Sequence, residues 1–78
     1  MPKAFIMIDV EPGYDAKIEE RVSGLNGVVM AHQVTGEHDL IAFVDAEPHE
    51  AFTEILSTIR SLPGVRHTDS HLVLQDPL

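Results

Sequence analysis

Apolar residues along this 78-residue chain fall into six segments whose spacing alternates between strand and helix periods. Lys3 to Val10, rich in Ile, Val and Phe, predicts a strand that Glu11-Pro12-Gly13 interrupts. Asp15 or its neighbour then caps a helix to about Ser23, with Tyr14, Ile18, Val22 and Leu25 on one apolar face. Gly24 and Gly27 end that helix. Val28 to Thr35 predicts a second strand, Gly36 to Asp39 a reversal, and Leu40 to Asp45 a third strand. Pro48 suits the first turn of a second helix, whose apolar stripe is Phe52, Ile55, Leu56, Ile59 and Leu62. Pro63-Gly64 stops it, and Val65 to Leu74 predicts a fourth strand.

The order β-α-β-β-α-β, a split βαβ unit used twice, predicts an α+β ferredoxin-like sandwich with both helices on one face of an antiparallel sheet. An internal echo accompanies it. Leu25-Asn26-Gly27-Val28 and Leu62-Pro63-Gly64-Val65 occupy the same helix-to-strand junction in the two halves. Right-handed crossovers place the first and third strands at the centre of the sheet. Those strands are apolar on both sides: Ala4, Ile6, Ile8 and Val10 against Phe5 and Met7, then Leu40, Ala42 and Val44 against Ile41 and Phe43. Two helices cover one sheet face only. The other carries a contiguous apolar patch that a soluble monomer rarely tolerates, so a second copy is expected to cover it. The outer strands mix polar and apolar residues and carry His32, His67 and His71, which suits sheet edges.

Composition removes several function classes. One domain is expected at this length, and with no cysteine there is neither a disulfide nor a thiolate metal ligand or nucleophile. The formal charge is −8, and the five cationic residues Lys3, Lys17, Arg21, Arg60 and Arg66 are scattered. Such a chain is a poor binder of nucleic acid or of an anionic membrane. No apolar run is long enough to span a membrane, and Met1-Pro2-Lys3-Ala4 does not read as a signal peptide, so a cytoplasmic location is expected.

The reversal Val34-Thr35-Gly36-Glu37-His38-Asp39-Leu40 carries the most suggestive chemistry. Gly36 supplies a backbone conformation open to φ > 0 or exposes its N–H, and Asp39 supplies an acceptor for the turn or for a cationic group. Thr68 and Ser70 point to one side of the last strand. Hydroxyls and a Gly-x-x-Asp turn together suit a zwitterion: carboxylate to N–H and hydroxyls, ammonium to Asp39. His67, Asp69 and His71 alternate with that pair, but residues four apart in a strand are separated by ~13 Å, too far to share one ion. A solvated polar strand face, with no metal or other cofactor, is the expectation there. None of Ser23, Ser57, Ser61 and Ser70 sits in a nucleophile elbow, and Gly24, Gly27 and Gly36 match no phosphate-loop pattern.

Five motifs in register resemble the effector-binding domain of Lrp/AsnC transcriptional regulators, also called the RAM domain, across nearly the whole chain. They are Glu11-Pro12-Gly13, Leu25-x-Gly27-Val28, Val34-Thr35-Gly36-Glu37-His38-Asp39-Leu40-Ile41, Leu62-Pro63-Gly64-Val65 and Thr68-x-Ser70-x-Leu72-Val73-Leu74. The resemblance implies the same sandwich, of the dimeric α+β barrel type, pairing through the open sheet face. It implies dimers that assemble into rings of eight or ten subunits, and amino-acid binding between dimers. By motif match, Thr35, Gly36, Glu37, His38 and Asp39 would form one wall of that site, and Thr68 and Ser70 would supply its hydroxyls. Two departures bear on ligand choice: His38 stands where the family often has an aromatic residue, and Ser70 replaces a common Thr. Full-length members begin with a DNA-binding helix-turn-helix, whereas this sequence enters its first strand directly, which is the look of a stand-alone version.

The expected function is therefore a non-enzymatic, oligomeric binding module for a free amino acid or related metabolite. It would act on its own assembly, or on that of full-length Lrp/AsnC regulators it joins. The alternative from another class is a small dimeric α+β barrel enzyme, with a histidine–carboxylate pair drawn from His38 or His67 in a cavity between sheets. A purely structural ring former is the third reading.

Overall fold

The computed structural model describes residues 3–47 and 49–74, leaving aside the side chain of His49. Pro48, read above as a first-turn residue, lies outside them. The elements run β1 (Lys3–Val10), α1 (Asp15–Ser23), β2 (Val28–Gln33), β3 (Leu40–Asp45), α2 (His49–Ser61) and β4 (Val65–Leu72). The sheet order is β2-β3-β1-β4, every pairing antiparallel, so β1 and β3 are central as the crossover rule requires. The ferredoxin-like α+β sandwich is the fold of this chain. Two strands end sooner than their composition suggested. β2 stops at Gln33 and β4 at Leu72, each followed by a single further backbone bond, from the Val34 N–H to the Asp39 carbonyl and from the Val73 N–H to the Lys3 carbonyl.

Strand alternation divides the chain's apolar residues between two faces. Ala4, Ile6, Ile8 and Val10 of β1, Ala31 of β2, and Leu40, Ala42 and Val44 of β3 are buried beneath Ile18 and Val22 of α1 and Phe52, Ile55 and Ile59 of α2. That layer is the core. On the opposite face Phe5 stands directly across from Phe43, and Met7 across from Ile41. The Phe5 and Phe43 rings tilt at 47° with centroids 4.8 Å apart, a geometry worth roughly 0.5–1.5 kcal/mol beyond burial. Met30 lies beside Phe43 through the β2 register. Among the described residues no helix covers this face, and Phe5 keeps 36% of its surface exposed. Among the described residues no helix is long and apolar enough to cross a membrane.

The repeated junction has a structural cause. Gly27 and Gly64 both sit at positive φ, +95° and +100°, where each helix hands the chain to its following strand. Space is short as well. A Cβ on Gly64 would enter the Tyr14 ring, and one on Gly27 would come within 2.6 Å of Ile55 Cδ1. The Glu11 N–H donates to the Gly64 carbonyl at 2.7 Å, and the Asp45 N–H to the Gly27 carbonyl at 2.9 Å, so each junction is also tied to a central strand or the loop after it. Backbone strain and steric overlap act together at both positions. Gly64→Ala and Gly27→Ala should each lower unfolding free energy by more than ~2 kcal/mol, whereas Gly24→Ala should cost little. Urea denaturation followed by circular dichroism measures the difference.

Candidate functional site

The β2–β3 hairpin is fastened to β1 by two hydrogen bonds of Asp39, and a third closes the hairpin on itself. The Asp39 N–H donates to the Ile8 carbonyl at 3.1 Å, the Val34 N–H donates to the Asp39 carbonyl at 2.9 Å, and the Asp39 carboxylate accepts from the Val10 N–H through Oδ2 at 2.9 Å. Asp39 thus continues the β1–β3 ladder by one step with its side chain. It bonds the neighbouring strand through Oδ2, and among the described residues its Oδ1 takes no hydrogen bond. Gly36, at φ +108°, turns the chain at the exposed tip.

His38 folds back beside Asp39. Its Nδ1 donates to Asp9 Oδ1 at 3.0 Å, each side chain being 28% exposed. Asp9 closes the open face of β1 and stands opposite His67 of β4. A hollow of about 300 Å³ opens at this end of the sheet, bordered by Asp9, Glu37, Asp39, Arg66 and His67. Arg66 occupies the β4 side of the bulge at Asp9/Val10 and reaches Glu11 at 3.7 Å, an exposed ion pair of small energetic weight.

Thr68 and Ser70 lie on the other side of β4. They are opposite Ile8 and Ile6, so their hydroxyls face the helix layer. A second hollow, about 420 Å³, runs there between α2 and β4, with Leu56, Arg60, Arg66, His67, Thr68 and Ser70 on its walls. This hollow is rich in donors: two of the chain's five cationic residues and two hydroxyls. The hairpin hollow carries three carboxylates. Arg66 and His67 border both.

The residues expected from sequence therefore divide. Glu37 and Asp39 line the hairpin hollow, with His38 bonded to its wall; Thr68 and Ser70 line the helix-side hollow; Thr35 and Gly36 are exposed at the tip and border neither. Ile8 separates Thr68 from Leu40 across the sheet. Asp9, Arg60 and Arg66 were missed as site residues, and His67 was weighed only as a metal ligand or as part of an enzyme's histidine–carboxylate pair. Asp9 read as a strand residue in sequence, and only the β1–β4 register makes it a neighbour of His67. Arg60 read as one of five scattered cations. On the open face His71 Nε2 lies 3.3 Å from Asp69 Oδ2, and among the described residues no three His, Asp or Glu groups gather as metal ligands.

Comparison with known proteins places this geometry in a family. The family model of the Lrp/AsnC ligand binding domain matches residues 3–78. The HTH-type transcriptional regulator FL11 of Pyrococcus abyssi is 28% identical over 72 residues, 92% of this chain and 48% of that protein. Homocitrate synthases of Saccharolobus islandicus and Saccharolobus solfataricus are 32% identical over 62 residues, 80% of this chain but 13% of those enzymes. The chain thus spans an eighth to a half of the curated relatives it matches. Among solved structures, TTHA0845 of Thermus thermophilus superposes with a TM-score of 0.94 at 28% identity, covering 100% of this chain and 99% of its own. The complex of the transcriptional regulator NMB0573 of Neisseria meningitidis with L-Met superposes with a TM-score of 0.79 at 27% identity, covering 96% of this chain and 51% of that one. The family model describes a ligand binding domain, and the relatives that carry the match include both transcriptional regulators and homocitrate synthases. The match runs through both helix-to-strand junctions, the hairpin and the last strand. This chain belongs to the Lrp/AsnC family and is built as its ligand-binding domain.

Proposed function

We propose that this domain is an oligomeric regulatory module that binds a free amino acid. The observation that carries this reading is the meeting of two hollows of opposite character at Arg66 and His67. An amino acid carries an ammonium and a carboxylate on neighbouring atoms. The free Oδ1 of Asp39 suits the ammonium, and the Arg60, Arg66, Thr68 and Ser70 side suits the carboxylate. The L-Met complex of the related regulator supports the ligand class.

The open face supports self-assembly. Phe5, Met7, Met30, Ile41 and Phe43 form one apolar surface across three strands. A second copy laid on it, sheet to sheet, removes that surface from water at roughly 25 cal/mol per Å². Dimers then join into a ring of eight or ten, with the hairpin and β4 at the contacts between them. A site completed by neighbouring subunits couples occupancy to assembly, because only the assembled state offers every contact. Full-length Lrp/AsnC regulators are fitting partners for mixed assemblies in the cytoplasm, with no direct contact to nucleic acid or membrane.

The Asp9–His38 pair favours one lesser reading, a dimeric α+β barrel enzyme that moves protons through this pair in a cavity between sheets. Among the described residues no hydroxyl is hydrogen-bonded to His38, and the family is regulatory. A ligand seated inside one dimer against His38, seen in a co-crystal structure, would favour the enzyme.

Isothermal titration against the common amino acids should give heat with at least one, accompanied by a change in oligomer size. Silence with all of them and an unchanged assembly would sink the proposal. Asp39→Asn should keep an acceptor for the Val10 N–H, and so the fold, while weakening binding. Asp39→Ala should also cost about 1–3 kcal/mol of stability by leaving that N–H unpaired. Phe43→Glu should yield folded monomers in light scattering, since the residue lies outside the helix-covered core.

A further inference from the structure

Two histidines meet a carboxylate among the described residues, and they do so through different ring nitrogens. His71 approaches Asp69 with Nε2 at 3.3 Å on the exposed rim of the sheet. His38 approaches Asp9 with Nδ1 at 3.0 Å, both side chains partly buried. An ionised carboxylate only accepts, so the nitrogen it touches must carry the proton. For His38 that nitrogen is Nδ1. Its neutral ring then has no proton for Nε2, which becomes an acceptor and not a donor. Asp9 has no second partner among the described residues. His67, across from it on β4, makes no hydrogen bond there, and Arg66 turns to Glu11. The hairpin that carries His38 and the strand that carries Asp9 are already tied together by Asp39, so the ring is held in one orientation.

We propose that Asp9 is a positioning residue: it holds His38 in the Nδ1–H form and so presents Nε2 to the ammonium of the bound amino acid. This inference rests on the amino-acid reading of the site and adds a residue that acts only through His38. An ammonium carries three N–H donors, and the Asp39 carboxylate next in the turn does not use them all. The opposite ring form would set an Nε2–H donor against a donor. The carboxylate–histidine pair thus serves binding, with no proton moved.

Long-range proton–nitrogen correlation spectra of the full chain at about pH 8.5, above the ordinary imidazole range, show which ring nitrogen bears the proton. His38 should carry it on Nδ1 and His71 on Nε2. His32 and His67, with no carboxylate partner among the described residues, serve as references in the same molecule. In Asp9→Ala the His38 proton should move to Nε2 while that of His71 stays. Asp9→Ala and His38→Phe should each weaken binding of the amino acid found by titrating the common set, by about tenfold. The double variant should lose no more than either alone, because the two residues act as one unit. A His38 proton on Nε2 in the parent chain, or one unmoved by Asp9→Ala, would overturn the positioning role whatever the ligand. The expected ring form with full affinity in both variants would overturn the contact to the ammonium and leave the amino-acid reading standing. Silence with every common amino acid would overturn that contact together with the reading beneath it.

Discussion

Strand alternation in β1 and β3 is the constraint on which the molecule depends. Both strands are apolar at odd and even positions, and both are central. The even set, from Ala4 to Val10 and from Leu40 to Val44, is buried under two helices. The odd set cannot be, because a split βαβ repeat sends both crossovers to the same side of the sheet. A slip of one residue in either strand would exchange the two sets and bring Phe5 or Phe43 into a layer filled by Ala4, Ala31 and Ala42. The register that builds the core is therefore the same one that sets Phe5 on Phe43 outside it.

Charge placement follows from how the ends of those strands are tied. Asp39 completes the β1–β3 ladder where backbone pairing stops, and so fixes the hairpin against Asp9 and Val10. The bulge at Asp9/Val10 shifts the β4 register and sets Arg66 apart from the regular alternation of its strand. Consequently Arg66 borders hollows on both sides of the sheet edge. In a chain of net charge −8, a donor-rich hollow beside a carboxylate-rich one requires such a device. Tyr14 on Gly64 and Ile55 over Gly27 hold the helices at the opposite ends of the same layers.

Much of this was legible in the sequence because it rests on local signals. The period of Phe52, Ile55, Leu56, Ile59 and Leu62 gave the second helix, and the alternation within Leu40–Asp45 gave both faces of a central strand. The paired glycines before Val28 and Val65 marked two positive-φ junctions. What sequence could not show were relations made by register. Asp9 meets His67 only because β1 pairs β4 with a bulge, and His38 meets Asp9 only because the hairpin folds back on β1. Glu37 and Asp39 on the one hand, Thr68 and Ser70 on the other, looked like one wall and its hydroxyls. Ile8 stands between the two groups in the sheet, and β4 turns the hydroxyls toward α2.

That separation bears on how such a domain would act as a switch. Within one chain the carboxylate-rich and donor-rich hollows touch only at Arg66 and His67, and both lie open at the sheet's edge. A small ligand held by one chain alone would keep much of its surface in water and gain little from exposed charges. A neighbouring subunit laid over the same edge would exclude that water, and the same charges would then act at lower effective dielectric. Affinity and subunit contact would rise together, each contributing free energy to the other. The weakness of the isolated site is what would make its occupancy report on assembly.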